Sequence, residues 1–221
     1  MMQFEFSAIT RSLPELWIGV QYTLALVFIS LAGGIVLGLL ACMGRLLGRG
    51  LLAWTCVTYI VTFRAIPEMV LMFWIYYCAP LLGGVRPSSI IAALAAMSLT
   101  AGALLAEVFR GGIGGVPRGQ AEAARSLGLS EFWVWRSVIL PQAFRIMIPA
   151  LLGVTALMVK ASGIASTVGV TELVYQASVT AGQSYRYLEL FTAVGLFYFG
   201  ILFPMSMVAK FYERKLALRA R

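Results

Sequence analysis

The stretch AEAARSLGLSEFWVWRSVILP, residues 121–141, decides the architecture of this chain. It predicts a short alanine-rich polar helix, a turn at Gly128 and a second helix that leads to Pro141. Its four charged side chains are Glu122, Arg125, Glu131 and Arg136. Charged side chains are costly to place in lipid, so we expect the segment to lie outside the bilayer, as a docking element for a cytoplasmic partner.

The chain as a whole has the composition of a helical protein that crosses a membrane several times. Its 221 residues are 61% hydrophobic and only 12% charged, with a mean hydropathy of +0.90. Each span takes roughly 20 residues, which leaves room for about five or six spans and almost no extramembrane domain. We therefore predict a single transmembrane domain over residues 1–221.

The composition also disfavours several classes of protein. The sequence contains neither histidine nor aspartate, which argues against a histidine proton relay, a histidine-bearing metal site and a serine–histidine hydrolase. Cys42, Cys56 and Cys78 lie in apolar surroundings without paired spacing and are expected to be small buried hydrophobes. The net charge of +8 does not point to nucleic acid, because the basic residues are spread over loops.

Apolar runs of sufficient length predict five spans, at residues 16–43, 65–81, 90–106, 146–170 and 188–209. Gly33, Gly34 and Gly38 in the first span permit close contact with another helix. A glycine-rich turn at 111–119 is expected to join the third span to the polar helix.

The apolar region 51–82 is too long for one span. Arg64, Pro67 and Glu68 divide it, so we expect residues 51–63 to form a helix at the membrane surface before the true span. Arg64 and Glu68 are one helical turn apart, which predicts an ion pair on one helix face, either structural or part of a gate.

The basic residues orient the chain, because loops on the cytoplasmic side of a membrane are enriched in lysine and arginine. With five spans, one side carries Arg45, Arg49, Arg110, Arg118, Arg125, Arg136, Arg145 and the tail at 210–221. The other side carries Arg11, Arg86 and Arg186. This pattern needs an odd number of spans, and it predicts an external N-terminus and a cytoplasmic C-terminus.

The opening stretch, with Glu-Ala-Ala at 122–124, Gly128 and Leu140-Pro141, resembles the EAA loop of permeases from importers of the ATP-binding-cassette (ABC) class. Val138 stands where isoleucine is usual. Three further segments resemble the permeases for polar amino acids and opines, a subgroup that covers histidine, glutamate, glutamine and arginine importers. They are FRAIPEMVLMFWIYY (63–77), AEVFRGGIGGVPRGQ (106–120) and LPQAFRIMIPALL (140–152).

The resemblance covers residues 4–214 and implies a fold, a place and partners. The fold would be all-α and polytopic, with five transmembrane helices of the type I importer kind, in the bacterial cytoplasmic (inner) membrane. The chain would be the permease subunit of an ATP-driven amino acid importer. It would pair with a second permease, identical or homologous, and receive substrate from an extracytoplasmic binding protein.

A separate cytoplasmic ATPase is needed as well, because no segment of this chain matches the phosphate-binding pattern GxxxxGK[ST]. The chain is therefore not expected to be an enzyme or to hold a cofactor or metal, and ATP and magnesium would be bound by the ATPase. The coupling residues are expected within about 119–141, namely Gly119, Gln120, Ala121, Glu122, Ala123, Ala124, Leu127, Gly128, Leu140 and Pro141.

The residue types of this loop suit such a role. Small alanines let a short helix sit deep in a groove, and a carboxylate at Glu122 complements a helix N-terminus. Gly128 can adopt the left-handed conformation that ends a helix. Ser130 can then cap a second helix that starts at Glu131. Two helices joined by a sharp corner can transmit a push from a partner into the fourth span.

Residues expected on the substrate path are Lys160, Ser162, Arg64, Glu68 and Glu107. Lys160 lies about 14 residues into the fourth span, where an ionisable group usually faces a cavity or another helix. It either attracts a substrate carboxylate or caps backbone carbonyls at a helix break. In the family this position opens a Lys-Asp-Thr-Ser-Leu-like motif, whereas this chain reads Lys-Ala-Ser-Gly-Ile.

Glu107 and Arg110, three residues apart, are expected to pair at the end of the third span. The transported substrate stays open. A cationic amino acid would favour an acidic lining drawn from Glu68, Glu107, Glu172 and Glu189, whereas an anionic one would favour Lys160 or Arg64. The alternative function is a small ATP-independent channel or membrane scaffold, which would need no docking helix.

Overall fold

The computed structural model describes residues 4–84 and 86–219, and within these ranges every regular element is a helix. The helices of these ranges are α1 (Phe6–Leu47), α2 (Leu51–Ala65), α3 (Glu68–Gly83), α4 (Ser89–Gly114), α5 (Arg118–Ser126), α6 (Glu131–Val168), α7 (Leu173–Ser184) and α8 (Tyr187–Arg219). The all-α prediction is confirmed.

Four helices of the described chain are long and apolar enough to cross a membrane, namely α1, α4, α6 and α8. Helices α2 and α3 pass the same test together as one broken span, with a bend of 104° between them. The protein is therefore polytopic, and it has the predicted five spans when the broken pair counts as one.

The bend between α2 and α3 has a local cause in the sequence. Ile66 is extended (φ −77°, ψ 127°), as expected for a residue that precedes a proline. Pro67 then occupies the N-cap position, directly before the first residue of α3. The break lies where the sequence predicts it, but it puts Arg64 and Glu68 on separate helices, and no ion pair joins them in the described ranges. The predicted pair is wrong because i,i+4 neighbours meet only when one helix carries both.

Three helices extend beyond the apolar runs that predicted their spans. Helix α1 starts ten residues before the predicted span at 16–43. Helix α4 runs on to Gly114, so the predicted glycine-rich turn begins late. Helix α6 begins at Glu131, the predicted start of the second helix of the corner, and continues into the region of the fourth span. A helix satisfies its own backbone hydrogen bonds, so it continues past the point where its side chains cease to be apolar.

Each of two prolines inside a span is preceded by a π-helical turn. The turn at Trp74–Cys78 comes just before Pro80, and the turn at Val134–Ile139 comes just before Pro141. Proline lacks an N–H and its ring crowds the preceding turn. The wider turns accommodate both effects, so that α3 and α6 continue.

The most extensive helix contact joins α1 to α4. A Cβ atom placed on Gly34 would lie 2.6 Å from the Cβ atom of Ala101, and one placed on Gly38 would lie 2.9 Å from the carbonyl oxygen of Gly102. Such distances leave no room for a side chain, so the backbones pack directly against each other. The prediction that these glycines permit close helix contacts is confirmed.

Candidate coupling site and polar residues of the spans

Helix α5 is a nine-residue helix that begins after Pro117 and packs on the chain through one face. Ala124 is buried in a small apolar cluster with Val134 and Ile139 at the start of α6, and Ala121 lies at its edge. The alanines therefore let α5 lie close to α6. Ala123, by contrast, is exposed on the opposite face.

A Schellman motif ends α5. The N–H of Gly128 donates to the carbonyl oxygen of Arg125 (2.9 Å), and the N–H of Leu129 donates to that of Ala124 (3.3 Å). Gly128 is left-handed, with φ +79°, which a residue with a Cβ atom adopts only with strain. The expectation for Gly128 is confirmed, and two backbone hydrogen bonds close the turn.

The start of α6 is stabilised by a different contact from the one predicted. Ser130 occupies the N-cap position of α6, but its side chain makes no capping hydrogen bond. Instead, Arg125 pairs with Glu131, with Nε–Oε1 and Nη2–Oε2 distances of 2.5 and 3.2 Å. This hydrogen bond, and then the attraction between the two charges, raises the pKa of Arg125. The ion pair joins the last turn of α5 to the first residue of α6.

The outer surface of the corner carries apolar side chains that nothing in the described chain covers. Leu127 is 83% exposed and Phe132 is 65% exposed, and Trp133 is exposed beside them. A shallow cavity of about 290 Å³ lies next to α5, with Glu122 at its rim. Six other predicted coupling residues are also exposed, namely Gly119, Gln120, Ala123, Gly128, Leu140 and Pro141.

Glu122 lies in the second turn of α5, because the helix begins at Arg118, earlier than the sequence suggests. The helix dipole acts mainly on the first turn. Glu122 is therefore poorly placed to stabilise its own helix through the helix dipole.

Glu107 is the centre of an ion cluster behind this corner. Its carboxylate accepts hydrogen bonds from Arg110 on the same helix (Nε–Oε2 2.8 Å, Nη2–Oε2 2.6 Å) and from Arg45 at the end of α1. The pair of Glu107 and Arg110 is confirmed, whereas the link to Arg45 was not predicted. The contact between Arg45 and Glu107 joins the end of α1 to the second half of α4, the helix that precedes α5.

The remaining path candidates do not form one cluster. Lys160 is exposed on α6 and has no hydrogen bond or ion pair within the described residues. Ser162 is buried, and its hydroxyl donates to the carbonyl oxygen of Val159 (2.7 Å). Arg64 is exposed at the end of α2, and Glu68 lies beyond the bend. The structure thus separates Lys160 from Ser162, which face different surroundings.

Sequence reasoning missed one buried polar junction, at the start of α7. The Glu172 carboxylate accepts the N–H groups of Val174 (3.0 Å) and Tyr175 (2.9 Å), while Thr23 of α1 accepts the N–H of Leu173 (3.2 Å). Both Glu172 and Thr23 are fully buried. The only local signal was an acidic residue directly before an apolar helix, and nothing in the sequence pointed to Thr23.

Comparisons with known proteins agree with this geometry. The sequence pattern of the family described as "Binding-protein-dependent transport system inner membrane component" matches residues 34–218. The probable amino-acid ABC transporter permease protein YckA of Bacillus subtilis (strain 168) is 35% identical over 207 residues, which cover 94% of this chain and 91% of that protein. The glutamine transport system permease protein GlnP of Escherichia coli (strain K12) is 33% identical over 218 residues, which cover 98% of this chain and all of GlnP (100%).

Solved structures show the same fold. A chain from the crystal structure of an amino acid ABC transporter with histidines superposes with a TM-score of 0.86 at 30% identity, over 97% of this chain and 100% of that one. A chain of the inward-facing MetNI methionine ABC transporter superposes with a TM-score of 0.68, over 90% of this chain and 96% of that one. At 22% identity, the second likeness supports the fold alone.

Proposed function

This chain belongs to the family of inner membrane components of binding-protein-dependent transport systems, and we propose that it forms the translocation path of an ATP-driven amino acid importer together with a second permease. It is a membrane-spanning permease subunit. The names of its relatives, YckA and GlnP among them, support amino acids as the cargo. A single chain of this fold does not enclose a path, which is why the proposal includes a second permease.

The observation that carries the proposal is the corner formed by α5 and the start of α6. Its turn is closed by two backbone hydrogen bonds, yet its outer face leaves Leu127 and Phe132 uncovered. On a segment that lies outside the bilayer, exposed apolar groups indicate a binding surface. The distribution of arginine and lysine supports a cytoplasmic position for this corner and an external N-terminus. A cytoplasmic ATPase that holds ATP and magnesium would dock here.

Force would pass from the ATPase to the spans through direct contacts. Ala124 packs on Val134 and Ile139, and Arg125 binds Glu131, so a displacement of α5 displaces the start of α6. Helix α6 then continues across the membrane to Val168. Closure of the ATPases on ATP would therefore tilt α6 in both permeases and exchange inward for outward opening. Cargo delivered by an extracytoplasmic binding protein acts on this exchange only through its different affinity for the two states.

The test is affinity purification of the tagged chain, in mild detergent, from a host that carries its native neighbours. We expect an ABC ATPase to co-purify with the wild type and to be lost on Leu127→Asp, because a carboxylate would be placed in an apolar contact. Leu82→Asp is the matched control, since Leu82 is 81% exposed at the far end of α3 and Leu127 is 83% exposed.

Retention of the ATPase by Leu127→Asp would refute the docking surface. A wild-type chain that purifies only with copies of itself would favour the alternative, an ATP-independent channel or scaffold.

A further inference from the structure

Three of the four glutamates considered for an acidic lining already have partners within the protein. Glu107 binds Arg45 and Arg110, as described above. The Glu189 carboxylate accepts the backbone N–H of Glu5 (3.2 Å) and lies 3.4 Å from Arg186. The third, Glu172, caps helix α7 with both of its carboxylate oxygens. None of these three is open to a ligand without loss of a structural contact.

Glu68 is different. Its Oε1 atom is shielded from solvent and has no hydrogen-bond partner among the described residues. A shielded carboxylate oxygen without a partner is costly, because the water it loses is not replaced. The residue as a whole is only partly buried, so its carboxylate lies at the edge of the protein interior rather than deep within it. A cation or donor from outside the chain would remove this cost.

The position of Glu68 connects it to the helix that the corner would move. It is the first residue of α3, directly after the 104° bend of the broken span. The first turns of α3 pack against the 3₁₀ segment Gly163–Val168 at the end of α6. Leu71 and Met72 share one apolar cluster with Ala165 and Val168. A displacement of α6 therefore changes the surroundings of the start of α3.

We propose that Glu68 is the cargo-facing carboxylate of this permease and receives the ammonium group of an amino acid. This inference rests on the proposed function, since it requires amino acid cargo. Every free amino acid carries an ammonium group at neutral pH, and a charge-assisted N–H···O bond to a carboxylate is among the stronger hydrogen bonds. The displacement of α6 proposed above would change the surroundings of this carboxylate, and with them its affinity for cargo in the two states.

The experiment measures amino acid binding to the purified permease–ATPase complex in nanodiscs, without the binding protein. A panel of radiolabelled arginine, lysine, histidine, glutamine and glutamate is applied to the wild type and to Glu68→Gln, Glu68→Asp and Glu15→Gln. Glu15 is an exposed glutamate near the external end of α1 and serves as the matched control. ATP hydrolysis and assembly, the latter by native mass spectrometry, are recorded for each variant.

We expect Glu68→Gln to weaken binding of the preferred amino acid at least about tenfold, because a neutral amide loses the charge-assisted bond. Glu68→Asp should retain part of the binding, and Glu15→Gln all of it. Binding by Glu68→Gln equal to that of the wild type would overturn this inference and leave the proposed function intact.

Loss of the second permease from the Glu68→Gln complex would overturn it in another way, since the carboxylate would then pair with that subunit. A wild-type complex that keeps its ATPase but binds no amino acid of the panel would contradict the proposed cargo, and this inference with it.

Discussion

The contact between α1 and α4 and the corner between α5 and α6 use small residues for opposite purposes. In the first, Gly34 and Gly38 bring two long helices into backbone contact, and the surfaces they bury belong to the same chain. In the second, Ala124 and Gly128 fold a short segment tightly, but its apolar side chains Leu127 and Phe132 stay uncovered. One region is complete within the chain, whereas the other leaves apolar side chains uncovered, and these form the proposed docking surface.

This contrast separates stability from coupling. Damage to the α1–α4 contact should unfold the protein, because no outside group can replace the lost packing. Damage to the surface of the corner should leave the fold intact and abolish docking, as the Leu127→Asp experiment tests. The ion cluster at Glu107 lies between the two regions, so its effect should be intermediate.

The largest effect is expected for Gly34→Leu. A side chain there would overlap Ala101 and the backbone at Gly102, and overpacking of this kind costs about 1–3 kcal/mol or more. The yield of monodisperse protein, measured by fluorescence-detected size-exclusion chromatography, should fall at least about tenfold. Gly200→Leu on α8 is the control, because a Cβ atom there meets nothing within 4 Å. Equal yields for the two variants would mean that α1 and α4 do not pack as closely as described.

A moderate effect is expected for Glu107→Gln. The amide removes the charge that holds Arg45 and Arg110, and partly exposed ion pairs of this kind contribute on the order of 1 kcal/mol. For a chain of this size, the apparent melting temperature in detergent should fall by about 2–4 °C. Glu15→Gln should not change it. The assigned cluster would be refuted if both variants melted at the wild-type temperature.

The smallest effect is expected for Ser130→Ala. An N-cap serine usually contributes about 1 kcal/mol, but the Ser130 side chain makes no capping hydrogen bond. The melting temperature and the amount of co-purified ATPase should therefore stay at wild-type values, with a stability change within about 0.5 kcal/mol. A loss typical of a capping serine would show that the hydroxyl does cap α6 and that the ion pair of Arg125 and Glu131 is not sufficient to hold the corner.

Features that depend on the chemistry of one residue were predictable. Pro67 breaks the second span where expected, because proline and the residue before it restrict the backbone whatever surrounds them. Gly128 ends α5 in the left-handed conformation for a similarly local reason. Apolar runs located the long helices but not the helix ends. A helix makes its own backbone hydrogen bonds, so it can continue beyond its apolar side chains.

The sequence by itself determined that this protein crosses a membrane several times, where its second span breaks and where the corner between α5 and α6 turns, because hydropathy, proline and glycine act locally. Only the tertiary structure decided that Glu107 meets Arg45, 62 positions away, and that Thr23 supports the start of α7. It also decided that Glu68, among the candidate glutamates, has an oxygen without a partner in the described part of the chain. Such pairings depend on how helices cross in space. Sequence spacing carries that information within one helix but not between two.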